Sequence, residues 1–408
     1  MISERWKRLK KVKDFGPGIV TGGADNDPAG IVTYTSIGAT TGLSQLWLML
    51  FSTPMMIAVQ DTASRIAIVT GKSLSEVLVR FYSKKVAIPI VMTLLIANLF
   101  TIAADIDAIA VVLQIITGIK SIYWLIPLTA FLAYLVIFKQ YRTIKRVLLM
   151  LTASLSVYIF SAIIARPDLG DVIVNTFIPH IRWNIAYAMA ALGLLGTTIS
   201  PYMLFWQAAE EKIEHKSVVQ IHVATWDTIA GMTYSNVVAY FIIIAAAYTL
   251  FGRHLELNSV KDAAMALKPF AGRFAFLIFS FGIITGGLLA LPVLAGSSAY
   301  AVADLFGWRE GFEGKVSDAK GFYIVFLGSL LIGDIIDLSR ISAVDALYYS
   351  QVLDGILLPF LVFVLMKISN DSRIMGDYTN TKFNNIFSIV TFITASVFSI
   401  VLFFQLFR

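Results

Sequence analysis

Two apolar stretches of this 408-residue chain are interrupted near their middles by polar residues beside a proline. The first interruption reads Asp25-Asn26-Asp27-Pro28-Ala29-Gly30, and the second reads Gly196-Thr197-Thr198-Ile199-Ser200-Pro201. Proline breaks a helix, so each interruption frees backbone carbonyls beside carboxylate or hydroxyl side chains. Oxygen atoms of these kinds are the ligands that hard cations prefer. The pattern therefore predicts that a cation binds between two broken helices.

Asp27 is the strongest candidate ligand in the first interruption. An ionisable residue within an apolar span costs enough free energy to indicate a function. The same carboxylate can also cap the second half of the broken helix, and the two roles are compatible. Ala24 offers a backbone carbonyl at the end of the first half-helix, where the negative end of the dipole attracts cations. Asp25 and Asn26 are weaker candidates, since consecutive helical residues do not share one face.

The second interruption and a later span supply further oxygen atoms. Ser200 offers a hydroxyl, and the carbonyl of Thr197 lies one turn earlier. Serine in a membrane helix commonly bonds to its own backbone instead, so a structural role stays open for Ser200. Gln351 and Asp354 are spaced for one helical face. A structural pairing of Asp354 with Arg65 is an equally open alternative.

The composition excludes a water-soluble globule. Hydrophobic residues make up 58% of the chain and charged residues 14%, which is typical of a polytopic membrane protein in contact with the lipid bilayer. The formal net charge of +6 is spread over short loops, so nucleic acid is not an expected partner. The chain has no cysteine, which excludes disulfides and thiolate metal sites.

The apolar runs predict an all-α protein with eleven transmembrane helices. They cover about 17–39, 43–70, 86–117, 121–138, 146–165, 185–210, 225–251, 272–306, 320–337, 341–367 and 385–407. The broken helices are the first and the sixth, so the second group of five enters the membrane from the opposite side. We therefore predict one transport domain over residues 1–408, with a first repeat at about 15–166, a second at about 185–367 and an extra helix at about 385–407.

The distribution of lysine and arginine predicts the orientation. Most of the bases outside the spans fall on the side that holds the amino terminus, which indicates a cytoplasmic amino terminus. With an odd number of spans the carboxyl terminus is then external. The basic segment from Met1 to Lys13 lacks the apolar stretch of a signal peptide, so the first span is expected to remain in a protein of the cell membrane.

Other functional classes lack the residues that they require. The four histidines fall in loops or at span ends, and the chain has neither a phosphate-binding loop nor a zinc-protease motif, so we expect no enzyme and no cofactor. A membrane metal sensor should carry a sizeable soluble output domain, and the longest predicted cytoplasmic loop is short. A sodium-coupled amino-acid carrier would need half-helix N–H donors and no buried carboxylate, so Asp27 counts against it.

Four stretches resemble the Nramp family of divalent-metal transporters, named for the natural resistance-associated macrophage proteins. They are Asp27-Pro28-Ala29-Gly30, Ser200-Pro201-Tyr202, the stretch from Gln60 to Glu76, and Ser350-Gln351-Val352 with Pro359 downstream. In that family the first helix breaks at Asp-Pro-Gly-Asn and the sixth at Met-Pro-His. The resemblance implies a leucine-transporter-type fold, with two inverted repeats of five helices each.

The departures from the family pattern lie at its metal-binding positions. Gly30 stands in place of an asparagine, Ser200 in place of a methionine, and Tyr202 and Gln207 in place of histidines. A second glutamine of the tenth helix is replaced by Leu357, whereas the acid of the third helix is kept as Asp105. Sulfur favours transition metals, while oxygen and a roomier pocket suit Mg²⁺. The closer resemblance is thus to the Nramp-related magnesium transporters, which implies transport of Mg²⁺ and Mn²⁺ without obligatory proton coupling.

These observations predict a secondary transporter that imports Mg²⁺ and Mn²⁺ by alternating access. The expected metal ligands are Asp27, Ser200 and the carbonyls of Ala24 and Thr197, with Gly30 also part of the site. Tyr202 and Gln351 are expected to contact the metal through water or to hold its ligands in place. The alternative within this fold is a proton-coupled Mn²⁺/Fe²⁺ symporter that uses Asp105 and Asp27 as proton acceptors. The metal is expected as substrate rather than cofactor, and no obligate protein partner is evident.

Overall fold

The computed structural model of the chain describes residues 16–138, 150, 153, 155–164, 166–252, 275–312, 316–337 and 343–406. Three predicted features lie wholly or partly outside these residues: the basic amino-terminal segment, part of the predicted fifth span, and His254. Within the described residues the regular secondary structure is helical.

The longer helices are numbered here in chain order. They are α1 (Pro17–Ala24), α2 (Pro28–Thr41), α3 (Leu46–Thr70), α4 (Leu74–Phe81), α5 (Lys84–Thr117), α6 (Ile122–Phe138), α7 (Val157–Ile164), α8 (Leu169–Phe177), α9 (Ile185–Thr198), α10 (Pro201–Ile213), α11 (Ile221–Leu250), α12 (Ala275–Phe306), α13 (Lys320–Asp337), α14 (Ala343–Ser369) and α15 (Lys382–Leu406).

The helices follow the predicted spans closely. Six described segments are long and apolar enough to cross a membrane: Lys84–Thr117, Ile185–Ile213, Val218–Leu250, Phe279–Phe306, Val344–Ser369 and Lys382–Gln405. The first and sixth predicted spans are each divided into two helices, α1 with α2 and α9 with α10. Two short helices, α4 and α8, lie outside the predicted spans.

The long helix α5 shows the two faces expected of a membrane-spanning segment. Ile88, Met92, Ile96 and Phe100 are spaced by four residues and are all exposed, so they form one apolar stripe along the helix. In water such a stripe would be costly, whereas in a bilayer it contacts lipid. Asp105, farther along the same helix, is fully buried and points into the bundle.

The two broken segments lie in the interior of the bundle. Helices α1 and α2 both pack against α11, and α9 packs along α14. The approach of α1 to α11 is close enough to require glycine, because a Cβ on Gly22 would lie 2.3 Å from the carbonyl oxygen of Gly231. Small residues permit this backbone contact between membrane helices. The close packing holds α1 against α11 just before the first break.

Candidate metal centre

The first break results from Pro28 and from the conformation of the residue before it. Proline has no N–H and forces the preceding residue out of the helical region, and Asp27 is extended accordingly, with φ −70° and ψ 172°. The Asp27 side chain then turns back to cap α2, where Oδ1 accepts a hydrogen bond from the N–H of Gly30 at 2.5 Å. The carboxylate therefore lies at the positive end of the α2 dipole, which stabilises its charge.

A second carboxylate reaches the same helix end from α5. Asp105 Oδ1 accepts a hydrogen bond from the N–H of Ala29 at 3.0 Å, and the side chain is fully buried. The sequence analysis identified Asp105 as a retained acid, and the structure brings it to the break. The amino terminus of α2 thus holds two carboxylates, one from each side.

The second break has the same local cause. Ser200, which precedes Pro201, is extended, with φ −69° and ψ 137°. Its hydroxyl lies 2.7 Å from the carbonyl oxygen of Gly196 and 2.9 Å from that of Thr197, so its proton is donated to the end of α9. The hydroxyl oxygen keeps its lone pairs, which are the groups that a cation would contact.

Tyr202 joins the two breaks. Its hydroxyl donates a hydrogen bond to the carbonyl oxygen of Ala24 at 3.0 Å and lies 3.4 Å from Asp27 Oδ2. Tyr202 and Asp27 are each only 1% exposed, and Ala24 is fully buried. The last carbonyl of α1, the Asp27 carboxylate and the start of α10 therefore form one buried group.

Oxygen atoms of both breaks converge around Gly30, which has no side chain to keep them apart. A Cβ at this position would lie 2.8 Å from the backbone oxygen of Asp25, 2.9 Å from Thr197 Oγ1 and 3.0 Å from Asp27 Oδ1. A larger residue would have to displace all three oxygens. The structure thus brings Thr197 and Gly30 together with Asp27, but it is the Thr197 hydroxyl that lies there and not the carbonyl proposed as a ligand.

Gln351 of α14 is buried, and its carboxamide is only partly satisfied. Its Nε2 donates to Ser350 Oγ at 3.2 Å, while Oε1 has no hydrogen-bond partner among the described residues. The alternative pairing of Asp354 with Arg65 is wrong, because Arg65 pairs with Asp61 one turn earlier on α3, at 3.4 Å. Asp61 lies four residues before Arg65 on the same helix face, so Arg65 can contact it without reaching across to α14.

The carboxylates at the first break do not form a compact metal-binding cluster. Within the described residues no three side chains of His, Asp or Glu form a cluster that could hold a metal ion. A cation at the breaks would therefore be held by the Asp27 carboxylate together with hydroxyl and carbonyl oxygens. Neutral oxygens with few carboxylates match the ligands of Ca²⁺ and Mg²⁺, and not those of soft metals.

Polar contacts on the α1 side of the breaks connect four helices. Gln60 Nε2 donates to Gln207 Oε1 at 2.7 Å, and Gln207 Nε2 donates to Thr228 Oγ1 at 2.7 Å. Asp227 of α11 accepts hydrogen bonds from the N–H groups of Gly16 (3.1 Å) and Gly18 (2.8 Å) at the start of α1. This role of Asp227 has no local signal in the sequence, because the cap is supplied by another helix.

Known proteins resemble this chain over nearly its whole length. The family described as "Natural resistance-associated macrophage protein-like" matches residues 18–405. The divalent metal cation transporter MntH of Yersinia pestis (strain Pestoides F) is 25% identical over 391 residues, which cover 93% of this chain and 92% of that protein. MntH of Yersinia pseudotuberculosis serotype O:3 (strain YPIII) matches to the same extent.

Solved structures support the fold. The crystal structure of the Eremococcus coleocola manganese transporter superposes with a TM-score of 0.77 at 17% identity, covering 96% of this chain and 86% of that one. Mhp1, a nucleobase-cation-symport-1 family transporter, superposes with a TM-score of 0.63 at 13% identity, covering 96% and 91%. The chain thus has the leucine-transporter-type fold of a multi-pass membrane protein, and with a family match over nearly its whole length it belongs to the Nramp family.

Proposed function

We propose that this protein is a secondary transporter that moves divalent metal cations across the membrane by alternating access, with Mg²⁺ and Mn²⁺ as substrates. The observation that carries the proposal is the position of Asp27: a buried carboxylate at the start of α2, 3.4 Å from Tyr202, which itself bonds to the end of α1. The relatives that bear the name divalent metal cation transporter are consistent with this class of substrate.

The ligands that we assign are oxygens from both breaks. Asp27 supplies the charge, Ser200 its hydroxyl, and Ala24 and Thr197 their carbonyls, while Gly30, which has no side chain, lets oxygens of both breaks approach one another. Tyr202 and Gln351 act through water or hold the ligands in place. Because this set offers oxygens at the positions where the resembling family has sulfur and imidazole, it favours Mg²⁺ and Mn²⁺ over softer metals.

The direction of transport follows from the proposed orientation. With the start of α1 in the cytoplasm of a cell-membrane protein, the hydrogen bonds among Gln60, Gln207 and Thr228 lie on the inner side of the site. These contacts hold α10 against α3 and α11, and the cap from Asp227 holds the start of α1 against α11, so in our proposal inward release separates them. The two repeats, at about 15–166 and 185–367, are the units that would move relative to one another.

A second candidate mechanism is proton-coupled symport of Mn²⁺ or Fe²⁺. The observation in its favour is that Asp105 and Asp27 both accept hydrogen bonds at the start of α2, so two carboxylates are available as proton acceptors. We favour uncoupled transport, because Tyr202 and Gln207 occupy the positions at which the resembling family has histidines.

Transport by purified protein in proteoliposomes tests the proposal and separates the two mechanisms. Mn²⁺ uptake is followed with an internal metal-sensitive dye while external Mg²⁺ is titrated, and internal pH is followed with a second dye. We expect micromolar to millimolar Mg²⁺ to inhibit Mn²⁺ uptake while the internal pH stays constant. Acidification in proportion to Mn²⁺ uptake would favour the symporter, and no uptake of either cation would contradict the proposed function.

A further inference from the structure

Asp25 is a second buried carboxylate of the first break, two residues before Asp27. It is fully buried, and its Oδ2 accepts a hydrogen bond from the hydroxyl of Ser235 on α11. The Ser235 hydroxyl also accepts a hydrogen bond from Asn26 Nδ2 at 2.7 Å. Asp25 Oδ1 and Asn26 Oδ1 are buried without a hydrogen-bond partner among the described residues. Buried polar atoms are nearly always paired, so these two oxygens indicate a ligand.

Basic side chains do not neutralise this carboxylate. Within the described part of the chain, the ion pairs of lysine and arginine involve other acids, among them Arg65 with Asp61 and Lys216 with Glu211. Asp25 and Asp27 are near enough to repel each other electrostatically. Two buried negative charges at one helix break are costly unless a cation lies between or beside them. A dication carries the charge that would neutralise both.

Asp25 and Asp27 both contribute oxygen atoms to the first break. The backbone oxygen of Asp25 is one of the three oxygens that converge on Gly30, together with Thr197 Oγ1 and Asp27 Oδ1. The Tyr34 hydroxyl, one turn farther along α2, is buried and has no hydrogen-bond partner among the described residues. The first break therefore presents two buried acidic groups with neutral oxygens beside them.

We propose that Asp25 is a second anionic contact of the transported dication, made through water molecules that the ion retains, and that this contact favours Mg²⁺. The inference rests on the proposed function, since it concerns the same cation. Mg²⁺ gives up its water reluctantly and so depends more on contacts made through water than Mn²⁺, which binds Asp27 and the carbonyls directly. A carboxylate beyond the first water layer still attracts a dication strongly in a buried site.

The variant Asp25→Asn tests the charge while it preserves the local structure, because the asparagine oxygen can still accept the hydrogen bond from Ser235. We expect the Mg²⁺ concentration that halves Mn²⁺ uptake to rise by about tenfold or more, since the attraction between unit charges in a buried site is lost. The Mn²⁺ concentration for half-maximal uptake should also rise, but by a smaller factor, because Mn²⁺ depends less than Mg²⁺ on contacts made through water. If D25N protein is not recovered, Asp25→Ser removes the same charge.

The matched variant Ser235→Ala removes the hydrogen bond and leaves the charge. If Asp25 contacts the ion, Mg²⁺ should inhibit Mn²⁺ uptake by S235A as strongly as it inhibits uptake by the wild type. If Asp25 has a purely structural role, S235A should lose as much of this inhibition as D25N does. Asp334→Asn, which changes a buried carboxylate bonded to Thr129 instead, controls for the loss of a buried charge. Unaltered Mg²⁺ competition in D25N would overturn this inference alone. Absence of Mn²⁺ uptake by the wild-type protein would overturn the proposed function as well.

Discussion

Tyr202 donates a hydrogen bond from its hydroxyl to the carbonyl oxygen of Ala24 over 3.0 Å. The two residues are far apart in sequence: Ala24 ends α1, and Tyr202 lies in the first turn of α10. The bond satisfies a carbonyl that α1 would otherwise leave without a partner at its carboxyl end. Tyr202 therefore holds one proposed ligand, Ala24, at a defined distance from another, Asp27.

Tyr202→Phe is expected to lower the free energy of unfolding by about 1 kcal/mol, the net contribution of one buried hydrogen bond. Mn²⁺ affinity should change by less than about fivefold, because the carboxylate of Asp27 remains and a hydroxyl bond contributes only modestly. Thermal unfolding in detergent and Mn²⁺ titration measure the two effects. Loss of Mn²⁺ binding with unchanged stability would instead make the hydroxyl a direct ligand.

Gly30→Ala is expected to impair transport, because the added Cβ would lie within 3.0 Å of three oxygen atoms, those of Asp25, Thr197 and Asp27. These oxygens must move apart, so we expect a fall in the Mn²⁺ uptake rate of about tenfold or more, as for other small displacements of site groups. Gly328→Ala is the matched control, since a Cβ there meets nothing within 4 Å. Equal uptake by both variants would show that the space at Gly30 is not part of the site.

Gln207→Ala is expected to lower the free energy of unfolding by about 2 kcal/mol, since it removes two buried hydrogen bonds of about 1 kcal/mol each. The bonds are those with Gln60 and Thr228. Thr228→Val removes one of them and should cost about half as much. Thermal or denaturant unfolding of the two variants checks the ratio, and equal stability of all three proteins would show that these contacts do not hold α10 to α3 and α11.

Glu310, in the turn after α12, is expected to make stability depend on pH. Burial and the neighbouring charge of Asp304 raise the pKa of Glu310 from 4.5 to about 9, in spite of the contact with Lys212 at 2.5 Å. The folded protein therefore binds this proton more tightly than the unfolded chain does. The resulting stabilisation is complete below about pH 4.5 and is lost as the pH rises to about 9.

Glu310→Gln removes this titration and provides the comparison. Unfolding temperatures of both proteins are measured at about pH 5 and about pH 9, and the wild type should lose more stability over this interval than E310Q. An identical pH dependence of the two proteins would contradict the assignment of the proton to Glu310.

The breaks in the helices were predictable because proline acts locally. Pro28 and Pro201 each remove an N–H and restrict the residue before them, so the ends of α1 and α9 follow from the adjacent residues alone. A local signal also existed for α4, which the predicted spans omit: Ser73 and Glu76 form a capping box at its start. That helix is short and amphipathic, so a search for long apolar runs does not find it.

The contacts between the broken helices were less predictable. The bonds of Asp227 to Gly16 and Gly18 join residues about 210 positions apart, and they depend on how closely α1 packs against α11. A single sequence shows which side chains can bond, and the packing decides which of them meet. The same reason explains Arg65, which pairs with Asp61 and not with Asp354.

Mn²⁺ uptake by Asp27→Asn in proteoliposomes tests the central claim most directly. Asparagine retains an oxygen that can cap α2 at Gly30 and removes only the negative charge. With D334N as the control for a buried carboxylate elsewhere, we predict that D27N uptake falls to the level of empty vesicles while D334N transports normally and both proteins stay folded. Uptake by D27N near the wild-type rate would contradict the assignment of Asp27 as the anionic ligand.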